Sequence, residues 1–257
     1  MIRVAPYSQL ASAYDRALGI VSFLRTRRAF EQVVARYGLG FRSAADIGCG
    51  TGLFARYLRG CWGVPVFAVD SSPAMLRIAA GRGAATGICF LQQDARCLNL
   101  PRPVDLITAN FDTINHLITP RDLAQAFRRI GANLRPGGHF VFDVIPRYRG
   151  LQRRFVHLRR LRARGRALYQ HIRWDPRRGL LAIRIVHCWP RPRPATVELH
   201  VERAYPPALV AQLLFNAGFV IRGVHDACSM RVAQARPSRL IIVARKIRRE
   251  ECDGVHR

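Results

Sequence analysis

The stretch Asp46-Ile47-Gly48-Cys49-Gly50-Thr51-Gly52 has the residue types and spacing in this 257-residue chain best suited to holding a ligand. Closely spaced glycines let the backbone turn tightly and let a ligand approach without meeting a Cβ, and a helix starting behind them offers free N–H groups. A dinucleotide-binding turn places its third glycine at the sixth position of G-x-G-x-x-G. Here Leu53 holds that position and the third glycine comes one residue early, at Gly52. Asp46, ahead of the loop, would repel a pyrophosphate but suits a cationic amino-acid end. Asp70 follows 24 residues after Asp46, where a carboxylate closing a strand can accept two hydrogen bonds from a ribose diol.

Such a loop must join a strand to a helix, and the surrounding pattern supplies both. Short apolar runs at 44–47, 64–69, 88–91, 104–109 and 139–145 predict buried strands, and 52–60, 73–81 and 121–134 carry helical periodicity. Strand and helix alternating in this way imply an α/β chain with a parallel sheet covered by helices on both faces. Leu10, Tyr14, Leu18, Phe23, Phe30, Val33, Val34 and Tyr37 predict one or two helices before Gly38. A helix at 207–217 ended by Gly218, a strand at 219–225 and a last strand at 239–244 complete the pattern.

The regularity breaks after Pro146. Leu151, Phe155, Leu158 and Leu161 predict a helix over 147–164, followed by β-like stretches at 166–174, 180–189 and 196–205 separated by Asp175-Pro176, Gly179, Pro190, Pro192 and Pro194. In the last stretch Val197, Leu199, Val201 and Tyr205 share one face and Glu198, His200 and Glu202 the other. The expected organisation is one α/β domain from 1–146 and 206–246, a helix-plus-meander insertion at 147–205 acting as a substrate cap, and a frayed tail at 247–257.

D-I-G-C-G-T-G, then A-V-D-S-S-P-A-M-L, L-Q-Q-D-A and L-R-P-G-G-H-F-V-F-D resemble, in order and spacing, the class I S-adenosylmethionine-dependent methyltransferases over roughly 7–146 and 206–245. The resemblance implies a doubly wound, Rossmann-like, mostly parallel seven-stranded sheet with its last strand antiparallel. It also implies that Gly48, Cys49, Gly50 and Gly52 pass along the methionine half of S-adenosyl-L-methionine, with Asp46 holding its amino group indirectly. Asp70 would bind the ribose hydroxyls, Ser71 and Met75 would flank the adenine, and Asp94, with Ala95 beside it, would accept from the adenine amino group. Asn110 and Phe111 match a strand end that contacts cofactor and substrate, and Tyr7 and Tyr14 resemble a lid. Asp112-Thr113-Ile114-Asn115-His116-Leu117 resembles the D-x-x-N-y-L variant of a subset with an antiparallel insertion after the fifth strand, histidine standing where tyrosine is common.

Methyl transfer from a sulfonium asks chiefly for alignment and exclusion of water. His116 beside Asp112 is the candidate general base, an oriented imidazole able to take a proton near neutral pH from a nitrogen or oxygen nucleophile; a structural histidine is the alternative. His171, His187 and His200 fall one per insertion strand, but their spacing matches no metal signature, and no metal is expected.

Composition narrows the remaining choices. The formal charge is +26, and every one of the 42 basic residues except Lys246 is arginine, a ratio as suggestive of genome composition as of anion binding. From Arg147 to Arg193 fifteen arginines face the single acid Asp175. That segment reads as a solvated face, as a holder of an anionic small-molecule acceptor through forked guanidinium contacts, or as a surface for RNA with Tyr148, Phe155, Tyr169, Trp174 and Trp189 available to stack. A basic helix at 147–164 touching anionic membranes is a further option. Seven cysteines without a C-x-x-C pair fit a reducing cytoplasm. No apolar run is long enough to span a bilayer, and the first residues lack a secretory pattern.

Overall fold

The computed structural model describes residues 1–82, 86–146, 161–163, 166–190, 192–231 and 238–247. Its strands are β1 (Ile2–Val4), β2 (Ala44–Ile47), β3 (Val66–Asp70), β4 (Ile88–Gln92), β5 (Val104–Ala109) and β6 (Leu134–Val144). After these come β7 (Leu161–Ala163), β8 (Arg166–Asp175), β9 (Leu180–Cys188), β10 (Thr196–Arg203), β11 (Phe219–Asp226) and β12 (Leu240–Lys246). The helices are α1 (Ala11–Tyr14), α2 (Ile20–Tyr37), α3 (Leu53–Trp62), α4 (Pro73–Ala80), α5 (Pro120–Ala132) and α6 (Pro207–Asn216), with a π-helical turn at Asp15–Gly19 joining α1 to α2.

Seven strands form the main sheet in the order β11-β12-β6-β5-β2-β3-β4. β6, β5, β2, β3 and β4 pair in parallel, while β12 is antiparallel to both β6 and β11. This is the doubly wound α/β sheet expected, with β12 as its antiparallel strand. Period-two alternation explains the two cores, because successive side chains of a strand leave opposite faces. Ile107, Ala109, Phe140, Phe142 and Ile242 pack with Leu123, Phe127 and Ile130 of α5 and with Val210 and Leu214 of α6. Leu106, Val141, Ile241 and Val243 point the other way, onto Phe30 and Val33 of α2 and Phe54 and Leu58 of α3.

Local chemistry fixes the helix ends that frame the loop. Gly52 (φ 79°) opens α3 and Gly63 (φ 65°) closes it, both in the left-handed region that glycine adopts without a Cβ penalty. Ser72 caps α4 by accepting from Met75 N–H at 3.3 Å, and Pro73 takes the first helical turn, where no N–H is needed.

The second sheet has the order β1-β10-β9-β8-β7. Its β8, β9 and β10 match the three expected stretches, but two features differ from expectation. Residues 161–163, the end of the expected helix, form a strand with Leu161 opposite Leu168; pairing with the open edge of β8 satisfies backbone groups that the helical period alone does not. The rest of that helix, 147–160 and 164, lies outside the described residues, as does the tail beyond 247. β1, too short to carry a period, adds in parallel to β10 with Val4 opposite Glu198. Among the described residues no helix is long and apolar enough to cross a membrane.

Candidate active site

The glycine loop leaves β2, an inner strand of the main sheet, and enters α3, beside the C-terminal ends of β3 and β5, where ligands of doubly wound sheets bind. A cleft of about 680 Å³ opens there, lined by Gly48, Cys49, Gly50, Asp70, Ser71, Met75, Asp94, Ala95 and Phe111, and roofed by Tyr7 and Tyr14. Asp46 and Gly52 do not line it. Asp46 lies beneath the loop, 2% exposed, and accepts from Thr108 Oγ1 at 2.8 Å and from Asn110 Nδ2 at 3.5 Å. A Cβ on Gly52 would meet Ala79 Cβ at 3.0 Å, so this glycine lets α3 approach α4.

Gly48 (φ 69°) and Gly50 (φ 54°) differ in what a side chain would meet. A Cβ at Gly48 would collide with Thr113 Oγ1 and lie 2.7 Å from its Cγ2, whereas at Gly50 it would meet no protein atom within 4 Å. Gly48→Ala is therefore expected to cost about 2–4 kcal/mol through backbone strain and overpacking, lowering the melting temperature by several degrees. Gly50→Ala should cost less stability and act on ligand binding. Equal melting temperatures for Gly48→Ala and wild type would show that the loop is not held as described.

Asp70 joins loop to cleft. Its Oδ2 accepts from Gly50 N–H and its Oδ1 from Ser72 N–H, both at 2.8 Å. Burial pushes its carboxyl above the usual carboxylate value, and the N–H groups of Ser72, Gly50 and Ser71 pull it back. Asp94 is more exposed: it caps the 3-10 turn Ala95–Cys97 and pairs with Arg96 at 2.7 Å, which draws its carboxyl below the usual value.

Burial pushes Asp46 up to about 7 despite the hydrogen bonds from Thr108 and Asn110, with Asp70 adding repulsion. A folded-state value above the ordinary one gives stability that is full below the unfolded carboxylate range and is lost as pH rises through about 7. Asp46→Asn should thus flatten the fall in melting temperature of the unliganded protein between pH ~4 and ~7. A fall of equal size in the variant would contradict this.

A second cavity, of about 310 Å³, adjoins the cleft and shares Tyr7, Tyr14, Phe111, His116 and His200 with it. Asn110, Asp112, Asp143, Glu202, Arg25 and Arg239 are among the residues that line its remainder, and among the described residues no arginine of 147–205 reaches either cavity. His116 Nε2 lies 2.8 Å from the Tyr7 hydroxyl and 3.9 Å from Glu202 Oε1. Asp112, expected to orient His116, instead pairs with Arg239 at 2.7 Å, and its carbonyl accepts from His116 N–H at 3.1 Å. Phe111 (φ 58°) and Asp112 (φ 64°) both sit in the left-handed region, a strain that clusters at ligand sites. Asn115 is fully buried and ties both ends of the insertion together, donating to Ile145 O at 3.2 Å and Arg203 O at 2.6 Å and accepting from Ile145 N–H at 3.0 Å.

Arg239, just ahead of β12, and Asp143, on the neighbouring β6, are joined by an ion pair, and nothing in the sequence pattern singles them out. Glu198, His200 and Glu202 are buried while Val197, Leu199 and Val201 are half-buried. The polar face of β10 is thus the inner one. Among the described residues no group of three or more His, Cys, Asp or Glu side chains is placed to hold a metal ion.

Residues 44–138 match the family described as "Methyltransferase domain". A Geobacillus sp. (strain WCH70) protein named as a methyltransferase is 30% identical over 146 residues, 56% of this chain and 59% of the relative. The dTDP-3-amino-3,6-dideoxy-alpha-D-glucopyranose N,N-dimethyltransferase of Streptomyces fradiae is 31% identical over 111 residues, 43% of this chain and 42% of that enzyme. The chain thus spans roughly half the length of these curated relatives. Among solved structures, an S-adenosylmethionine-dependent methyltransferase from Clostridium acetobutylicum ATCC 824 superposes with a TM-score of 0.77 at 24% identity, covering 94% of this chain and 99% of its own. Residues 44–138 are thus the part of the chain that is similar to methyltransferase domains, and the chain shares the Rossmann-like fold of the Clostridium acetobutylicum structure.

Proposed function

We propose that the protein transfers a methyl group from S-adenosylmethionine to an amine of a small polar molecule. The observation that carries this reading is the meeting of two cavities, a glycine-floored cleft and a smaller carboxylate-lined pocket, at one wall of Tyr7, Tyr14, Phe111 and His116. The residues of the cleft fit the cofactor: Gly50 puts no side chain into it, Asp70 offers a half-buried carboxylate to a diol, and the volume lies within the ~300–1,000 Å³ of small-molecule sites. Gly48, Cys49 and Gly50 would border its amino-acid arm, with Asp46 supporting the loop from below. Asp70 would hold the ribose, and Ser71, Met75, Asp94 and Ala95 the base. When bound, S-adenosylmethionine supplies a methyl group made electrophilic by the sulfonium.

The chain's own residues have the acceptor to deal with. Asp112, Asp143 and Glu202, set against Arg25 and Arg239, leave the pocket with one carboxylate more than it has guanidinium groups, and Asp143 Oδ1 is buried with no hydrogen-bond partner among the described residues, a state that an N–H donor of an amine would relieve. An amine must be neutral to act as a nucleophile. Burial, with Tyr14 and nearby carboxylates, keeps the Tyr7 phenol protonated, and in the neutral His116 tautomer that leaves Nε2 without a proton its hydroxyl donates to that nitrogen. The released proton passes through this hydroxyl to His116. The insertion acts as the acceptor cap through Gln170, Ile183, Ile185, His200 and Glu202, and Asn115, bound to both its ends, supports placement in the D-x-x-N subset. The Streptomyces fradiae relative, by its name an amino-sugar N,N-dimethyltransferase, agrees with an amine acceptor.

Methyl-labelled S-adenosylmethionine, offered with a panel of small amines that includes amino sugars and with their hydroxyl analogues, tests the reading. Label is expected in amines. Label confined to hydroxyl analogues, or to added RNA, would overturn the amine assignment.

A further inference from the structure

Glu198 is a carboxylate in the middle of a strand, fully buried, far in sequence from the glycine loop and without a place in the chemistry above. Its Oε2 accepts from Tyr7 N–H at 2.9 Å, and its Oε1 from Gln9 N–H at 2.6 Å and Leu10 N–H at 2.9 Å. His200 Nε2 lies 2.9 Å from Oε2, and His187 Nε2 3.5 Å from Oε1. Burial would raise this carboxyl, but the two imidazoles and the N–H groups outweigh it and hold it well below the usual carboxylate range. It therefore stays charged across the physiological range.

The three N–H groups belong to the turn that carries Tyr7 over the cleft. Tyr7 has φ 64°, a conformation that costs a non-glycine residue energy and persists only where its surroundings over-determine it. Little apolar surface does this here, since the turn rests on a small cluster of Leu10, Ala13, Leu168 and Ile185. Tyr7 itself meets His200 edge to face with ring centroids 4.5 Å apart, so one group of residues sets both its backbone and its ring. At the far end of the same segment Asp15 accepts from Thr51 Oγ1 of the glycine loop at 2.6 Å and pairs with Arg82.

We infer that Glu198 is a positioning residue: by binding the N–H groups of Tyr7, Gln9 and Leu10 it pins the Tyr7 turn as the roof of the cleft and sets the Tyr7 hydroxyl against His116. The inference rests on the cleft being the cofactor site. Charge-assisted hydrogen bonds to N–H groups are the strong ones, and three on one carboxylate outweigh the small apolar contact. A carboxamide at this position would turn an NH₂ group toward donors and release part of the turn.

The test uses the full chain, with amide hydrogen exchange and S-adenosylhomocysteine binding measured on wild type, Glu198→Gln and Glu198→Asp. In unliganded wild type the amides of Tyr7, Gln9 and Leu10 are expected to be protected, and to become more so with S-adenosylhomocysteine. In Glu198→Gln their protection should drop about tenfold or more, with faster ligand release and a higher KM for the cofactor among folded molecules, while amides of β2 and β5 keep theirs. Glu198→Asp, retaining the charge, should recover part of each effect. Unprotected amides at these positions in wild type would overturn the inference without any variant folding. So would a folded Glu198→Gln with unchanged exchange and ligand release. Wild type that binds no S-adenosylhomocysteine would sink the cofactor reading instead, leaving the exchange data to judge the pin.

Discussion

Asp70→Ala is expected to weaken S-adenosylhomocysteine binding by about 10- to 100-fold, the loss of a charge-assisted acceptor in a half-buried site. Two effects combine. The carboxylate offered to the ribose disappears, and so does the tie between Gly50 N–H and Ser72 N–H that fixes the loop against the start of α4. Asp70→Asn, which keeps an acceptor and the volume, should fall between. Asp94→Ala should lose far less, because that carboxylate is half-exposed and already engaged by Arg96. Calorimetry decides: affinities of Asp70→Ala and Asp94→Ala that are equally close to wild type would remove Asp70 from the binding role.

His116→Ala is expected to lower kcat by about 10²- to 10⁴-fold, the usual span for a lost proton acceptor, with little change in cofactor affinity. Tyr7→Phe should lose a similar factor, since its hydroxyl is the group in contact with Nε2, and the double variant should lose hardly more than either alone because the pair works as a unit. Burial lowers the His116 value, with His200 adding to this while Asp112 and the Val201 backbone oppose it. The imidazole is neutral, and able to accept, above that lowered value. Activity with a preferred amine should therefore fall on the acid side of the ordinary imidazole value of about 6.5, and this limb should vanish in His116→Ala. Additive losses in the double variant, or an acid limb unchanged by His116→Ala, would contradict the relay.

The main sheet was legible in the sequence because each of its strands is an apolar run closed by a turn, and because the two-residue period needed no knowledge of which face was inside. β10 shows where that limit bites. Alternation separated Val197, Leu199 and Val201 from Glu198, His200 and Glu202 correctly, yet the polar set faces inward, toward the site. Hydrophobic contrast gives the period of a strand; its orientation depends on what packs against it. The same holds for β1, whose three residues make sense only beside β10, and for 161–163, where an open strand edge outweighs a helical pattern.

The cleft proposed for the cofactor was legible because its residues are close in sequence and their spacing is dictated by one turn. Gly48, Gly50 and Asp70 occupy the cleft, while Asp46 and Gly52 support it from behind. The pocket proposed for the acceptor draws on Asp143 of β6, Glu202 of β10 and Arg239 just ahead of β12, and no spacing rule connects them. His116 was visible as an imidazole near a strand end, but its partner, Tyr7, lies 109 positions away.

Titration of the unmodified, folded chain with S-adenosylmethionine by calorimetry is the most direct check on the central assignment. Saturable binding at one site per chain, competed by S-adenosylhomocysteine and weakened in Asp70→Ala, is the expected result. Heat-silent titration with no retained ligand on dialysis, or binding of NADH in its place, would contradict it.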